Sequence, residues 1–260
     1  ALLAETKRLI ELFNAELVLI HVGEKKEETE KLLSETVSAA GLNNASTKII
    51  WATGEPAEAI IRTSSNEGVD LLIAGALEKE SFIKYYVGSV ARKIMREAKS
   101  SVLIFKSPSE KPKSIKSFYV PTDYSSESER TILKAYNFAL LEQADEFVLL
   151  RDFYAPGLVL AVQETGSLTE LSNMREQWRI EEETKMKIFI SELNLKGVPI
   201  KIHCIYGKTG WEAANYAKVN DADLFAVTPP HKRWGLLDKI FPYDQEHVIK
   251  ELPANLLIVR

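Results

Sequence analysis

One pattern of apolar runs and helical stretches occurs twice along this chain of 260 residues. The run Asn-Ala-Glu-Leu-Val-Leu-Ile-His-Val at 14–22 matches the run Ala-Asp-Glu-Phe-Val-Leu-Leu-Arg-Asp at 144–152. Gly54 and Asp70 are separated by the same number of residues as Gly207 and Asp223, and each interval contains a helical pattern. A repeat with so long a period indicates duplicated domains rather than a solenoid.

Short apolar runs that alternate with helical stretches are typical of parallel strands buried on both faces. The pattern predicts an α/β protein with two tandem Rossmann-like domains, each a five-stranded parallel sheet flanked by helices. The stretch Lys106–Ser114 has two prolines and several charges but no large apolar residue, as linkers do. We therefore assign domain 1 to 1–106, the linker to 107–116 and domain 2 to 117–260.

Composition excludes several classes of function. The net charge is −4 and the basic residues are scattered, so we expect no nucleic-acid partner. Cys204 is the only cysteine, and its apolar neighbours predict a buried, unreactive thiol in a reducing compartment. No stretch approaches the roughly 20 apolar residues of a membrane span. We expect a cytoplasmic protein with no membrane partner.

The two copies differ at their starts. The second copy opens with a strand that ends at Asp123 and continues into a helix through Leu141, whereas the first opens in the matching helix, Ala1–Phe13. The first strand of a doubly wound sheet lies centrally, and its removal leaves unpaired backbone groups. We therefore expect the first strand of domain 1 to be missing from the chain shown, within roughly ten to twenty preceding residues that resemble Phe118–Arg130.

The copies differ again after the shared strand. The first has a short charged helix over Glu24–Ala40, closed by Gly41. The second has a capping box at Ser167 and a long helix to Leu195, with an apolar stripe that we interpret as core. The stripe comprises Leu168, Leu171, Met174, Trp178, Phe189 and Leu193.

The segment Asp70–Phe105 predicts a buried strand, a long loop, a Gly88-Ser89 step into an amphipathic helix, and a final strand. A glycine loop that leads into a helix can hold phosphates, because free N–H groups and the helix dipole point at the bound group. In the alternative interpretation, Gly88 is a turn residue and Ser89 an ordinary N-cap.

The corresponding loop of the second copy, residues 228–245, is unsuited to phosphate. Pro229 and Pro230 have no N–H donors, and Asp244 is expected to cap the last helix. The basic cluster His231-Lys-Arg233 either attracts an anion or is a solvated loop.

Several of these segments resemble the universal stress protein family in its tandem form. They are Glu-Leu-Val-Leu-Ile-His-Val at 16–22, Gly-Glu-Pro-Ala-Glu-Ala-Ile-Ile at 54–61, Val-Pro-Thr-Asp-Tyr-Ser at 120–125 and, most specifically, Asp70–Phe105. The resemblance implies Rossmann-like domains of the adenine nucleotide alpha hydrolase-like type and a role in the stress response. It also implies an internal pseudo-dimer, in which Val102–Phe105 pairs with Leu256–Val259.

The resemblance implies the candidate nucleotide residues. ATP-binding members carry a Gly-x2-Gly-x9-Gly-Ser/Thr loop, which corresponds here to Gly75, Glu78, Gly88 and Ser89, so that a glutamate replaces the second glycine. The family's aspartate at the end of the first strand corresponds to Asp123. A carboxylate at position 78, about 5 Å from a phosphate, would cost up to roughly 3 kcal/mol at an effective dielectric near 20. Lys79 and Lys84 would offset part of this repulsion.

Two hypotheses of function follow. In the first, a stress-response protein binds ATP or another adenine nucleotide in domain 1, and domain 2 is degenerate. In the second, the chain is a nucleotide-independent interaction module whose long helix contacts a protein partner. The sequence has no nucleophile–base signature and no Cys/His metal spacing, so we expect no enzyme and no metal. Slow ATP hydrolysis and further homo-oligomerisation stay open.

Overall fold

A computed structural model describes residues 1–42, 47–78, 85–86, 88–154, 168–207, 210–229 and 252–260. The chain divides into two compact units, Ala1–Ser114 with Ile249–Arg260, and Ile115–Val248. The predicted α/β class is confirmed, because parallel strands alternate with helices in both units. The boundary between Ser114 and Ile115 falls within the stretch predicted to be a linker.

Unit 1 contains short helices around two groups of strands. Its elements are α1 (Leu2–Phe13), β1 (Leu17–Val22), α2 (Glu27–Ala39), β2 (Thr47–Ala52), α3 (Pro56–Asn66), β3 (Leu71–Gly75), β4 (Leu77–Glu78), β5 (Tyr85–Tyr86), α4 (Ser89–Glu97), β6 (Ser101–Phe105) and β11 (Asn255–Ile258). The helix predicted to end before Gly41 does so, since Gly41 has a φ of 67°.

The strands of unit 1 form separate groups. β1 and β2 form a two-stranded parallel sheet, β4 and β5 pair antiparallel, and β3 pairs in parallel with β6. The predicted pairing of 102–105 with 256–259 is confirmed, because β11 pairs antiparallel with β6 and places Leu256 opposite Ile104. Arg260, after the end of β11, binds to α4, since its guanidinium donates to the carbonyl oxygens of Met95 (2.7 Å) and Arg96 (3.0 Å).

Unit 2 is built on four parallel strands in the order β10-β7-β8-β9. Its elements are β7 (Ser117–Pro121), α5 (Ser126–Leu141), β8 (Glu146–Phe153), α6 (Leu168–Leu193), β9 (Ile200–Tyr206), α7 (Trp211–Val219) and β10 (Leu224–Val227). The last strand of the second copy, β11, is grouped with unit 1, so unit 2 does not itself contain a fifth strand among the described residues.

Aromatic side chains fill the core of unit 2. Phe118 of β7 is fully buried and lies edge-on to Phe138 at 5.4 Å and stacked with Phe147 at 6.4 Å, measured between ring centroids. Phenyl rings packed in these offset and edge-on geometries add to the stability gained from burial alone.

The Cys204 thiol is buried as predicted, and burial raises its pKa to about 12.

The long helix α6 differs from its prediction. Met174, Trp178, Phe189 and Leu193 of the predicted stripe are only half-buried, and the burial of Leu168 and Leu171 lies outside the description. Met186, outside that stripe, is fully buried. The capping box at Ser167 lies outside the described residues. The spacing of apolar residues predicts one buried face of α6, but the strands against which the helix packs decide which of its residues are buried.

Asp152 of β8 satisfies the start of α7. Its Oδ2 accepts hydrogen bonds from the backbone N–H groups of Gly210 (2.8 Å) and Ala213 (3.0 Å). Its Oδ1 is buried and has no hydrogen-bond partner among the described residues. Burial therefore prevails over the two donors and raises the pKa of Asp152 to about 6.

We expect Asp152→Asn to remove a pH dependence of stability. The folded pKa lies above that of an unfolded aspartate, about 3.9, so folding favours the protonated form. The contribution of Asp152 to the free energy of unfolding, about 3 kcal/mol, is fully present below about pH 4. It is lost as the pH rises through about 6. In urea unfolding of both proteins, the free energy of unfolding of the variant should rise relative to that of the unaltered chain as the pH increases across this range. Parallel curves would contradict the assignment.

Candidate functional site

The predicted phosphate loop of unit 1 connects the end of β3 to the start of α4. β3 ends at Gly75, which lies opposite Phe105 of β6, and α4 begins at Ser89 after Gly88. Gly88 has φ −64° and ψ 166°, the extended conformation of an N-cap. The structure therefore confirms a loop that enters a helix at the predicted Gly-Ser step, with β3 and α4 in the predicted order.

The first turn of α4 offers hydrogen-bond donors without competition from acidic side chains. No side chain caps the helix, and its first turn contains no Asp or Glu. Helices α1 and α2 also lack a side-chain cap, but each has acidic residues in its first turn. The side chain of Ser89 is exposed beside these N–H groups. An uncapped helix start without acidic residues favours an anion through its free donors and the helix dipole.

Neighbouring α3 shows how a helix start in the same unit is satisfied internally. The Glu55 carboxylate accepts hydrogen bonds from the backbone N–H groups of Glu58 (3.0 Å) and Ala57 (3.2 Å), which hold its pKa below the usual range. The ammonium nitrogen of Lys93 in α4 lies 3.2 Å from a carboxylate oxygen of Glu55 and 2.8 Å from one of Glu58. This lysine links the two helices and is already engaged by carboxylates.

Backbone conformation requires glycine at neither candidate position. Gly88 has a negative φ, and Gly75 is absent from the positions with positive φ. A Cβ added at Gly75 would lie 3.8 Å from the nearest atom of Leu2 and 3.9 Å from Pro108, which is ordinary van der Waals contact. Internal packing therefore does not explain the glycine at position 75.

Glu78 lies in the short strand β4, where its backbone pairs with that of Tyr85 in β5. Lys79 and Lys84, the lysines expected to offset its charge, lie outside the described residues. Pro230, the 231–233 basic cluster and Asp244 of the second loop also lie outside them, while Thr228 and Pro229 follow β10 directly.

Asp123 lies in unit 2 and organises the start of α5. Its Oδ1 accepts hydrogen bonds from the backbone N–H (3.0 Å) and the hydroxyl (2.5 Å) of Ser125, which is the N-cap of α5. Partial burial opposes ionisation, but these hydrogen bonds prevail and lower the pKa of Asp123. The hydroxyl oxygen of Thr122, the preceding residue, lies 3.1 Å from the hydroxyl oxygen of Ser128. The structure thus gives Asp123 a local structural role that does not require a ligand.

A charged cluster at the end of β8 was missed by the sequence analysis. Arg151 donates to Glu182 of α6 at 3.2 Å and lies over the ring of Tyr124, 4.9 Å from its centroid. Lys185 donates to the other oxygen of Glu182 at 2.7 Å, and the Tyr124 hydroxyl donates to the same carboxylate at 3.1 Å. An arginine inside an apolar strand was the available signal, because a buried cation requires a partner.

The cluster lies beside a cavity of about 440 Å³ within unit 2. Its lining residues are Arg151, Asp152, Phe153, Tyr154, Trp178, Glu181, Glu182 and Lys185. Both cations in this lining, Arg151 and Lys185, are paired with the Glu182 carboxylate. Among its described lining residues, the cavity therefore has aromatic walls but no cation without an acidic partner.

The two histidines predicted to lie in strands do so. His21 in β1 packs on Trp51 with ring centroids 4.5 Å apart, and His203 in β9 packs on Tyr216 at 4.8 Å. Partial burial and the charge of Lys201 lower the pKa of His203. Both side chains thus have packing partners inside their own unit.

No helix among the described residues is both long enough and apolar enough to cross a membrane. Within the same residues, no group of three or more His, Cys, Asp or Glu side chains is arranged to hold a metal ion.

Comparison with solved structures shows the fold of the whole chain. A universal stress protein from Archaeoglobus fulgidus DSM 4304 is 17% identical, with a TM-score of 0.67 over 100% of this chain and 91% of its own. A Pseudomonas aeruginosa UCBPP-PA14 protein, provisionally named a universal stress protein, is 17% identical, with a TM-score of 0.74 over 99% and 87%. A functionally unknown protein from Pseudomonas aeruginosa PAO1 is also 17% identical, with a TM-score of 0.72 over 99% and 86%.

Comparison by sequence matches one segment of the chain to a known family. No protein with a curated description matches the chain. The sequence profile of the universal stress protein family matches residues 20–106, which include β1, the loop between β3 and α4, and β6. The chain therefore contains a universal stress protein domain over residues 20–106 and, from end to end, has the fold of those proteins.

Proposed function

We propose that unit 1 binds an adenine nucleotide and holds its phosphates at the start of α4, and that the second copy of the domain is a degenerate partner. The observation that carries this proposal is the uncapped first turn of α4, which has no acidic residue and follows a Gly-Ser step. The nucleotide itself is suggested by the family resemblance of the Gly75–Ser89 loop. The role in the stress response is proposed on the same basis.

The chemistry of the two copies supports this division. In unit 1, backbone N–H groups at a helix start interact with an anion through hydrogen bonds and the helix dipole. In the second copy, Pro229 replaces a donor directly after β10. Asp123 already binds Ser125, so we assign it no more than a secondary contact from its remaining carboxylate oxygen.

A second candidate function is a protein-interaction module that needs no nucleotide. It is favoured by α6, where Ile180 and Ile188 are 52% and 58% exposed although they are large and apolar. The two candidates predict opposite results when ATP is added, so one titration separates them.

Gly88→Asp should weaken ATP binding while leaving the helix intact. The φ of Gly88 suits any residue, and aspartate is a preferred N-cap, so we expect stability to stay equal or to rise by a few tenths of a kcal/mol. The added carboxylate repels phosphate by about 1–3 kcal/mol, which corresponds to a loss of affinity from about fivefold to about a hundredfold. Isothermal titration calorimetry measures the affinity and thermal unfolding the stability.

Gly88→Asn is the matched control, because it caps the helix with a side chain of the same size but without charge. We expect its ATP affinity to lie between those of the unaltered chain and Gly88→Asp. If the unaltered chain gives no heat with high micromolar ATP, the nucleotide proposal fails and the interaction module is favoured. Equal affinities in all three proteins would place ATP away from α4.

Gly75→Ala should lower the affinity for ATP without lowering the stability of the protein. Because the added methyl group meets only ordinary contacts, we expect the free energy of unfolding to stay the same or to rise by up to about 1 kcal/mol. ATP affinity should fall, since the backbone of β3 could no longer approach the nucleotide closely. Gly68→Ala is the opposite control, because its φ of 65° predicts lost stability without a direct effect on binding. Unchanged ATP affinity in Gly75→Ala would remove Gly75 from the site.

A further inference from the structure

The cavity at the end of β8 belongs to unit 2, and the nucleotide site proposed in unit 1 does not use it. Its lining comes from the end of β8 and the residue after it, over 151–154, and from α6 at positions 178, 181, 182 and 185. Positions three, four and seven residues apart share one face of a helix. The volume of about 440 Å³ lies within the range of small-molecule sites, roughly 300–1,000 Å³.

Aromatic side chains form the apolar part of this lining. Phe153 is buried, Trp178 is half-buried and Tyr154 is 55% exposed. The ring of Tyr154 is stacked on that of Tyr206 in β9, with centroids 6.1 Å apart and planes at 27°. Phe153 lies edge-on to the same tyrosine at 5.6 Å. These contacts hold two of the lining rings in place, which reduces the entropy that a ligand loses the protein on binding.

Aromatic rings in this part of unit 2 already hold cations that the chain itself supplies. The guanidinium carbon of Arg175 lies 4.7 Å from the ring centroid of Tyr206, and that of Arg151 lies 4.9 Å from the centroid of Tyr124. The negative face of an aromatic ring attracts a cation in this geometry. Among the residues that the structure describes, no cation lies over Tyr154, the more exposed ring of its stacked pair.

The charges of the lining favour a cationic ligand over an anionic one. Three of the lining residues are acidic and two are basic, and both basic residues are bound to Glu182. Asp152 is occupied at the start of α7. Glu181 is exposed and, within the described ranges, takes part in no hydrogen bond or ion pair. A cation that enters the cavity would be attracted by the Glu181 carboxylate, whereas an anion would be repelled by it.

We propose that this cavity binds a small organic cation, in which an ammonium group is attached to an aromatic or other apolar body. The ammonium group pairs with the Glu181 carboxylate and lies against the ring of Tyr154. The apolar body packs against Phe153 and Trp178. The inference does not depend on nucleotide binding, because every residue that it uses lies in unit 2.

The test titrates the whole chain with 2-phenylethylamine, which is a cation at neutral pH, and with 3-phenylpropionate, which has a similar shape and the opposite charge. We expect the amine to bind with a dissociation constant of about 1 mM or lower, as a small ligand in a partly apolar site does. The acid should bind at least about tenfold more weakly, because Glu181 repels it. Saturation-transfer NMR and isothermal titration calorimetry measure both affinities.

Glu181→Gln tests the charge, because it removes the carboxylate and keeps the size of an exposed side chain. We expect the affinity for the amine to fall about fivefold and the affinity for the acid to stay equal or to rise. Glu192→Gln is the matched control on the same helix, about 16 Å along α6 from position 181 and exposed as well. This distance exceeds the screening length of about 8–10 Å, so the affinity for the amine should not change.

Tyr154→Leu tests the ring, because leucine keeps an apolar side chain but has no aromatic face. We expect the affinity for the amine to fall by roughly threefold to tenfold. Tyr154→Phe keeps the ring and should bind the amine as the unaltered chain does. Thermal unfolding of both variants checks that the fold is intact, which the exposure of Tyr154 leads us to expect.

Four results would overturn the proposal. The first is that the amine does not bind at millimolar concentration, and the second is that the amine and the acid bind equally well. The third is an equal loss of amine affinity in Glu181→Gln and Glu192→Gln, since the amine would then respond only to the overall negative charge of the chain. The fourth is displacement of the amine by ATP, which would place it in the nucleotide site. Failure of ATP itself to bind would refute the proposed function and leave these results unaffected.

Discussion

A strand buried in a core needs hydrogen-bond partners for its backbone groups, and β7 finds them along both of its edges in unit 2. With β8 and β10 alongside, Phe118 and Val120 are completely buried, and the aromatic core forms around them. The reciprocal hydrogen bonds between Ser117 and Asp223 hold the strand starts in register.

Helix starts show a second common constraint, because each leaves backbone N–H groups that need acceptors. Glu55 supplies the acceptor for α3, Ser125 for α5 and Asp152 for α7. These carboxylates and hydroxyls occupy the place that an anion would take. At α4 the preceding residue is Gly88, which has no side chain to offer, and the first turn has no acidic residue. The anion binding that we propose at this helix therefore rests on what the sequence omits there.

The burial of ionisable groups was predicted less well than the positions of the strands. Alternating apolar runs and helical stretches located the strands, and Gly41 correctly marked the end of α2, because these signals are local in the chain. The contacts of Arg151 with Glu182 and Tyr124 join segments distant in sequence, and no local pattern encodes them. The same holds for Met186, whose burial depends on how α6 is rotated over the sheet. The strand predicted to end at Asp123 ends at Pro121, and the hydrogen bonds of Asp123 to Ser125 are those of a helix start.

The sequence by itself determined the duplication, the α/β class and the Gly-Ser entry into α4, because periodicity, spacing and backbone propensity act over short stretches of chain. Tertiary structure alone decided that β11 pairs antiparallel with β6, that Asp152 is buried with one oxygen unpartnered among the described residues, and that Asp223 binds the start of β7. These outcomes depend on which groups far apart in the chain come within hydrogen-bonding distance and how much water they lose. That information is carried by packing and not by any single segment.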